Sequence, residues 1–221
     1  MPAAAAARYT PHSGALTAFG RACVVSKGGE VQDPIELFRQ WYDQACRLDN
    51  DKPHAMVLCT AGSDGRPDGR MVLLSSCDER GLVFHTNYES RKGRQLAENP
   101  HASLIFWWDP LGYQVRIHGT VERTSAQESD AYWSGRPLGH QLAAWASQQS
   151  RPVEDRGVLD SRMAELEAEY EGREVPRPPH WGGYRLVPEE MEFWEHRDNR
   201  LHDRVRFRRT DQGWAVDRLA P

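Results

Sequence analysis

The sequence predicts an α+β fold in which an antiparallel sheet curls or closes into a barrel with helices packed around it. Three observations carry this. About eight short runs rich in Val, Leu, Ile and aromatic residues are punctuated by turn sequences. Helical stretches stand between some of them, but no regular βαβ alternation appears. The last strands are too few to form a sheet of their own, so they complete the first one.

Residues 1 to 32 hold an Ala run and scattered Gly without sustained periodicity, which reads as a mobile N-terminal arm. Order is predicted from Asp33, giving a single domain over 33–221. Asp33 can cap a helix and Pro34 can take its first position. Ile35, Phe38, Trp41, Tyr42, Ala45 and Cys46 then recur at helical spacing. Strands are expected near 55–60, 68–77, 81–86, 102–108 and 113–123, with a helix at 90–98 that stops before Pro100. Segments 125–135, 140–147 and 155–172 read as helices, the last with Leu159, Met163, Leu166 and Tyr170 on one face. After the Pro-rich stretch EVPRPPHW, strands return at 183–195, 200–209 and 213–218, the final pair joined by a turn at Asp211-Gln212-Gly213.

Composition narrows the function. The 221 residues carry 28 Lys plus Arg against 32 Asp plus Glu, a net charge of −4, which argues against a general nucleic-acid binder. Any anion site must therefore be local. The longest apolar stretches, such as Leu104 to Trp108, are far shorter than the roughly 18 residues of a membrane span, and the N-terminus lacks the features of a secretory signal. The expectation is a soluble, cytoplasmic protein with no membrane partner. Cys23, Cys46, Cys59 and Cys77 form no CxxC pair and read as buried free thiols. No HExxH occurs and the nine His are scattered, so no metal is expected. The GxGxxG, GxxxxGK[ST] and GxSxG signatures are also missing.

The segment Thr86-Asn87-Tyr88-Glu89-Ser90-Arg91-Lys92-Gly93 places a Ser cap and two cations where a strand gives way to a helix. Free amides at a helix N-terminus with added positive charge suit a phosphate; a capped surface helix with solvated charges is the plainer alternative. Arg70 begins the run Met71-Val72-Leu73-Leu74, which reads as too apolar for the surface, so the Arg needs an acidic partner or a bound anion. If 200–209 is extended, alternation sets Arg200, His202, Arg204 and Arg206 on one face, where an anionic ligand or acidic neighbours must relieve their repulsion. Tyr132 to Pro137 joins aromatic rings to Arg136 at a helix end, fit for a second anion or for helix packing.

Taken together, DPIELFRQW, RMVLL, VFHTNYESRKGRQL, NP, the strand with Gln114, YWSGRP, QLAAWASQQS, WGGYR, EFW, RLHDR and DRLAP resemble the FMN-dependent pyridoxamine 5′-phosphate oxidase family from about Asp33 to the C-terminus. The resemblance implies an antiparallel split β-barrel with flanking helices, and a homodimer holding FMN at its interface. It implies that Arg70, Met71, Val72 and Leu73 line the flavin, that Thr86, Arg91 and Lys92 lie at its phosphate, and that Gln114, Gln149, Ser150, Trp194 and Arg204 make further contacts. His85 stands where the family usually has Tyr. Tyr132, Arg136, Arg200 and His202 match substrate-holding residues, Arg200 and His202 lying over the reacting face.

The implied activity is oxidation of pyridoxine or pyridoxamine 5′-phosphate, with hydride transfer to FMN, dioxygen as acceptor and hydrogen peroxide as product. Two departures concern the substrate. Ser75 stands where the family places a phosphate-gripping Lys, a loss of roughly 1.5–3 kcal/mol for one charge-assisted bond. His140 stands where a small residue contacts the same phosphate. Either His140 and Arg136 take over the missing cation's work, or the chain is a paralogous flavin oxidase acting on a dihydrophenazine-type intermediate, or it is a binding module without turnover.

Overall fold

The computed structural model describes residues 33–48 and 52–221; the expected N-terminal arm, and Cys23 with it, lie outside the described residues. Helix α1 (Pro34–Arg47) opens as the sequence predicts, with the Asp33 carboxylate accepting the Ile35 amide at 2.7 Å. Its buried face is Ile35, Leu37, Phe38, Trp41, Tyr42 and Ala45. Cys46 lies a third of a turn past that face and is exposed, and Cys59 and Cys77 are only partly buried, so the thiols are less enclosed than expected.

The strands are β1 (Ala55–Ala61), β2 (Pro67–Leu73), β3 (Ser76–Asp78), β4 (Gly81–Asn87), β5 (His101–Trp108), β6 (Tyr113–Arg123), β7 (Trp181–Glu195), β8 (Asp203–Thr210) and β9 (Gly213–Arg218). All nine belong to one antiparallel sheet in the order β2-β1-β5-β6-β7-β4-β3, with β8 beside β7 and β9 beside β8. Helix α2 (Arg91–Glu98) links β4 to β5, and α3 (Ala126–Ser134), α4 (Leu138–Ala146) and α5 (Arg156–Glu169) fill the crossover from β6 to β7.

Two expected strands differ. The run 68–77 is two strands because the chain changes partner: the Leu74 amide donates to the His54 carbonyl beside β1, and the next amide, of Ser75, donates to Val83 in β4. That exchange curls the sheet and brings β2 against β4. The run 200–209 becomes extended only at Asp203, because Asp198–Arg200 forms a 3-10 turn with Asn199 and Arg200 at φ 57° and 61°. Left-handed residues cannot continue a strand, so Arg200 is out of register with the alternation expected for it.

Strand β7 organises the barrel. Along one edge it pairs with β6, with a bulge at His118/Gly119; its other edge is shared, Trp181–Leu186 pairing with β4 and Glu190–Glu195 with β8. Gly119 is required at the bulge, since a Cβ there would run into the Val187 carbonyl. Inside the barrel, Phe38, Phe84, Phe106, Trp108, Phe193 and Phe207 are fully buried with Leu, Ile and Met between them. A second, smaller core joins Trp133, Leu142, Leu166, Val175 and Trp181 under the helices.

Phe106 sits at the centre of the first core, its ring 5.0 Å from Phe38 and 5.4 Å from Trp108. Phe106→Ala is expected to cost about 3–5 kcal/mol, read as a lowered denaturation midpoint with an unchanged slope.

Candidate functional site

A cavity of about 600 Å³ opens where β2 meets β4, walled by the start of α2, the end of α3 and the segment after α4. Its lining brings together Arg70, Met71, Val72, Leu73, Ser75, His85, Thr86, Arg91, Lys92, Tyr132, Arg136, Gln149 and Ser150, all singled out in the sequence, and adds Asp68.

The turn from β4 into α2 builds the most cationic part. Ser90 caps α2 by accepting the Gly93 amide, and Gly93 is obligatory because a Cβ would collide with the Tyr88 carbonyl oxygen. This close approach buries Lys92. Its Nζ donates to Thr86 Oγ1 at 3.2 Å, Ser90 Oγ at 3.3 Å and Gln149 Oε1 at 3.0 Å, all uncharged acceptors. Burial, with Arg70 adding repulsion and Asp68 partly offsetting it, pushes the Lys92 pKa down to about 8. Arg70 is held by the Leu58 carbonyl at 3.1 Å, Thr60 at 2.6 Å, Gln95 at 3.2 Å and the Asp68 carboxylate at 2.6 Å. Asp68 also meets Arg91 at 3.0 Å. So Arg70 does have the acidic partner that its position demanded, but that one carboxylate serves two guanidiniums while Lys92 goes without. Three cations against one carboxylate leave two positive charges, the complement of a phosphate monoester dianion.

A second group is aromatic. The His85 ring stacks on Tyr132 with centroids 3.8 Å apart and planes within 8°, and lies 5.3 Å from Trp181. Its Nδ1 is 2.8 Å from Ser75 Oγ, while Nε2 is buried with no hydrogen-bond partner. Burial first, then the charges of Arg136 and Arg177, push its pKa down to about 4. Arg136 stacks on Trp181 at 4.5 Å and its buried Nε is likewise unpartnered. Helix α3, which carries Tyr132, is pinned at its start by Glu128: this carboxylate completes a capping box with Ser125 and binds the buried Arg185 at 2.9 Å, which in turn holds Asp78 at 2.6 Å. Hydrogen bonds from the Ser125 amide and hydroxyl, then Arg80 and Arg185, hold the Glu128 pKa down to about 2.

The remaining sequence candidates stand elsewhere. His140 is exposed and does not line the cavity; its carbonyl accepts from Arg136 at 3.1 Å. Gln114, Trp194 and Arg204 face each other in register across β6, β7 and β8. Arg204 donates to Glu192 at 2.7 Å and to the Ala220 carbonyl at 2.9 Å; Arg206 pairs with Asp217 at 3.0 Å. Acidic neighbours thus relieve the cationic side of β8. The His202 ring lies 4.4 Å from Trp194 and its Nδ1 accepts the Arg197 amide at 3.2 Å, while Arg200 is exposed on the left-handed turn. Trp194 is eleven residues along β7 from Gly183, the partner of His85, or roughly 36 Å of strand at about 3.3 Å per residue.

Met71 and Leu73, expected to be covered, are 61 % and 51 % exposed, because β2 is an edge strand whose alternate residues point outward. Trp107 adds to the apolar surface at 51 %. Asp68, Gln95 and Trp181 escaped the sequence reading of the site. Asp68 had a signal, lying two residues before Arg70 and so on the same strand face; Gln95 and Trp181 had none. Among the described residues no cluster of His, Cys, Asp or Glu could hold a metal, and no helix is long and apolar enough to cross a membrane.

These features define a curled antiparallel barrel protein with a cation-rich cavity at a helix N-terminus. Comparison with known proteins specifies which. A family model described as pyridoxamine 5′-phosphate oxidase matches residues 42–170, and one for the pyridoxine 5′-phosphate oxidase C-terminal dimerisation region matches 181–221. The chain belongs to this family. It is similar to the pyridoxine/pyridoxamine 5′-phosphate oxidases of Rubrobacter xylanophilus, at 53 % identity over 89 % of this chain and 91 % of the relative, and of Salinibacter ruber, at 52 % over 89 % and 93 %. Among solved structures it resembles PhzG from Burkholderia lata in complex with tetrahydrophenazine-1-carboxylic acid, with TM-score 0.82 and 40 % identity over 86 % of this chain and 93 % of that one. An FMN-binding protein from Nostoc punctiforme, 18 % identical, shares the fold with TM-score 0.70 over 87 % of this chain and all of that one.

Because Lys92 has a lowered pKa, the unfolded chain binds more protons between about pH 8 and 10.5, so its destabilising effect is full below pH 8 and relieved above it. A bound anion reverses this. Millimolar inorganic phosphate is expected to raise the melting temperature at pH 7, with a gain that shrinks as pH rises through about 8, and Lys92→Gln should abolish most of the gain.

Proposed function

We propose that this protein is an FMN-dependent oxidase of pyridoxine and pyridoxamine 5′-phosphate, acting as a homodimer with two sites shared between its chains. The observation that carries the reading is the buried Lys92 among neutral partners, beside Arg70 and Arg91, in a cavity with a single carboxylate. Such a set is expensive without an anion and fits the phosphate of FMN. Thr86 and Gln149 would share that phosphate with Lys92. Met71 to Leu73, on an edge strand with free backbone groups, would line the ring system. FMN, when bound, supplies the two-electron acceptor for the substrate carbon and the reactivity with dioxygen that yields hydrogen peroxide.

The chain's own residues do the alignment. Tyr132 and His85 offer a stacked aromatic face for a pyridine ring, and Arg136, whose Nε is unpartnered, a guanidinium for its anionic substituent. In neutral His202, the Arg197 amide on Nδ1 leaves the proton on Nε2, which can donate to a ring oxygen of the substrate. Arg200, on its left-handed turn two residues before that histidine, would orient the reacting face. Excluding water around these groups strengthens each contact.

The two halves of the residue set lie at opposite ends of β7, too far apart to surround one flavin within a single chain. Gln114, Trp194, Arg204, His202 and Arg200 of a second copy would complete the cavity of the first. The match of 181–221 to a dimerisation region and the exposed Met71, Leu73 and Trp107 support this pairing. The second reading, oxidation of a dihydrophenazine-type ring, is favoured by one observation, Ser75 in place of a cation, together with the likeness to PhzG.

Purified protein should be yellow, or become so on addition of riboflavin monophosphate, and release peroxide with pyridoxamine 5′-phosphate; turnover only with a dihydrophenazine would select the second reading. Chains bearing Lys92→Gln and Arg204→Gln should each be impaired by tenfold or more in FMN affinity. Mixed, they should regain activity, because one site collects both defects and the other is intact. No recovery would contradict shared sites.

A further inference from the structure

Along the second half of β7, Met191 and Phe193 enter the barrel core, so Glu192 and Trp194 stand on the opposite face of the sheet. Arg204 on β8 is directly across from Trp194 and shares that face. Its guanidinium is gripped on two sides: Nε donates to Glu192 Oε1 at 2.7 Å and Nη1 to the Ala220 carbonyl at 2.9 Å. The chain end is tied down at the same point, the Leu219 amide donating to the Arg204 carbonyl at 3.0 Å. Of the guanidinium nitrogens, Nη2 alone has no partner among the described residues. Glu192 is 4 % exposed and both its oxygens are used, Oε2 meeting Arg116 at 3.3 Å. Arg116 in turn lies 3.5 Å from His118 Nε2, whose Nδ1 is 2.7 Å from Ser103 Oγ. These contacts run in one line from β5 to β8. Arg206, across from Glu192 in register, is drawn away by Asp217 at 3.0 Å, with Glu190 at 3.8 Å.

We infer that Glu192 is a positioning residue for the flavin site: from within one chain it fixes the Arg204 guanidinium so that Nη2 is presented to the cavity of a second copy. The inference goes beyond the oxidase reading but rests on it, because Arg204 reaches FMN only in the shared site. A buried ion pair seldom adds to stability over an apolar pair of the same shape, so what Glu192 contributes is the fixed direction of Arg204. An arginine free in solvent samples many rotamers and loses them when it closes on a ligand; one already held at Nε and Nη1 does not. Glu192 also sets a negative charge near an anionic cofactor, an opposing effect that is blunted because Arg116 shares the carboxylate. The two effects predict opposite results when the carboxylate is removed: tighter FMN binding from the charge, weaker binding from the lost orientation.

The test measures the FMN dissociation constant by equilibrium dialysis of the FMN-loaded full chain, for wild type, Glu192→Gln, Arg204→Gln and the double variant. Glu192→Gln is expected to weaken FMN binding by about five- to tenfold. The double variant is expected within about twofold of Arg204→Gln, since a residue that acts through Arg204 then has nothing left to orient; a merely structural glutamate would multiply the two losses. Mixed with Lys92→Gln chains, Glu192→Gln chains should regain peroxide release at limiting FMN, and mixed with Arg204→Gln chains they should not. Wild-type or tighter FMN binding by Glu192→Gln overturns the inference, as do multiplied losses or recovery with Arg204→Gln. Should Glu192→Gln fail to fold, Glu192→Asp keeps the buried charge, sets it one methylene back from Arg204, and completes the same cycle with the same expected direction. If Lys92→Gln and Arg204→Gln chains themselves fail to complement, the shared-site reading falls and this inference with it.

Discussion

Strand β7 has two edges but must serve β6, β4 and β8, and the way it divides one edge sets the rest of the molecule. With β4 on its first half and β8 on its second, the sheet cannot remain a flat ribbon. It forks, and the shorter arm is closed by the single-residue change of partner between Leu74 and Ser75. The bulge at His118/Gly119 lies close to where β7 changes partners on its other edge, adding local twist there. Both groups of functional candidates are consequences of this fork. One sits where β2 is drawn against β4, the other where β8 lies beside the far end of β7.

The electrostatics follow from the same closure. Burial of a lysine is ordinarily offset by a carboxylate, yet the carboxylate within reach, Asp68, is already shared by Arg70 and Arg91. The barrel holds the cations in place with neutral oxygen acceptors, Thr60, Thr86, Gln95 and Gln149, which orient them without cancelling them. On the β8 side the balance is opposite: Glu192 is buried between Arg204 and Arg116, and Asp217 joins Arg206 and Arg208. One half of the residue set is short of negative charge, and the other is internally paired. This asymmetry is the reason we propose the cavity beside Lys92 as the anion site.

Local patterns were legible where the physics is local. Asp33 and Pro34 marked the start of α1, the capping residues Ser90 and Ser125 stood where α2 and α3 begin, and the periodicity of 34–47 named the buried face apart from Leu37 and Cys46. Reading stopped where a single residue changed its surroundings. Nothing in LLSSC tells that Leu74 bonds to one strand and Ser75 to another, so one strand was expected in place of two. Asn199 and Arg200 adopt left-handed backbone, which Asn tolerates but Arg seldom takes, and the strand expected from Arg200 starts three residues later. The apolar run after Arg70 was expected to be covered; within one chain it is an edge, since periodicity reports which residues are apolar but not which neighbour covers them.

By itself, then, the sequence determined the element types, the helix caps, the family resemblance and the identity of the cations, because propensity, capping and alternation act over a few residues and motifs persist as strings. Only the tertiary structure decided which of those cations lack a counter-charge, that His85 is locked to Ser75 and stacked on Tyr132, that His140 stays outside, and that Trp194 and Arg204 stand a strand's length from Lys92. Charge compensation and burial depend on distances between residues remote in the chain, and those distances exist only once β7 has divided its edge.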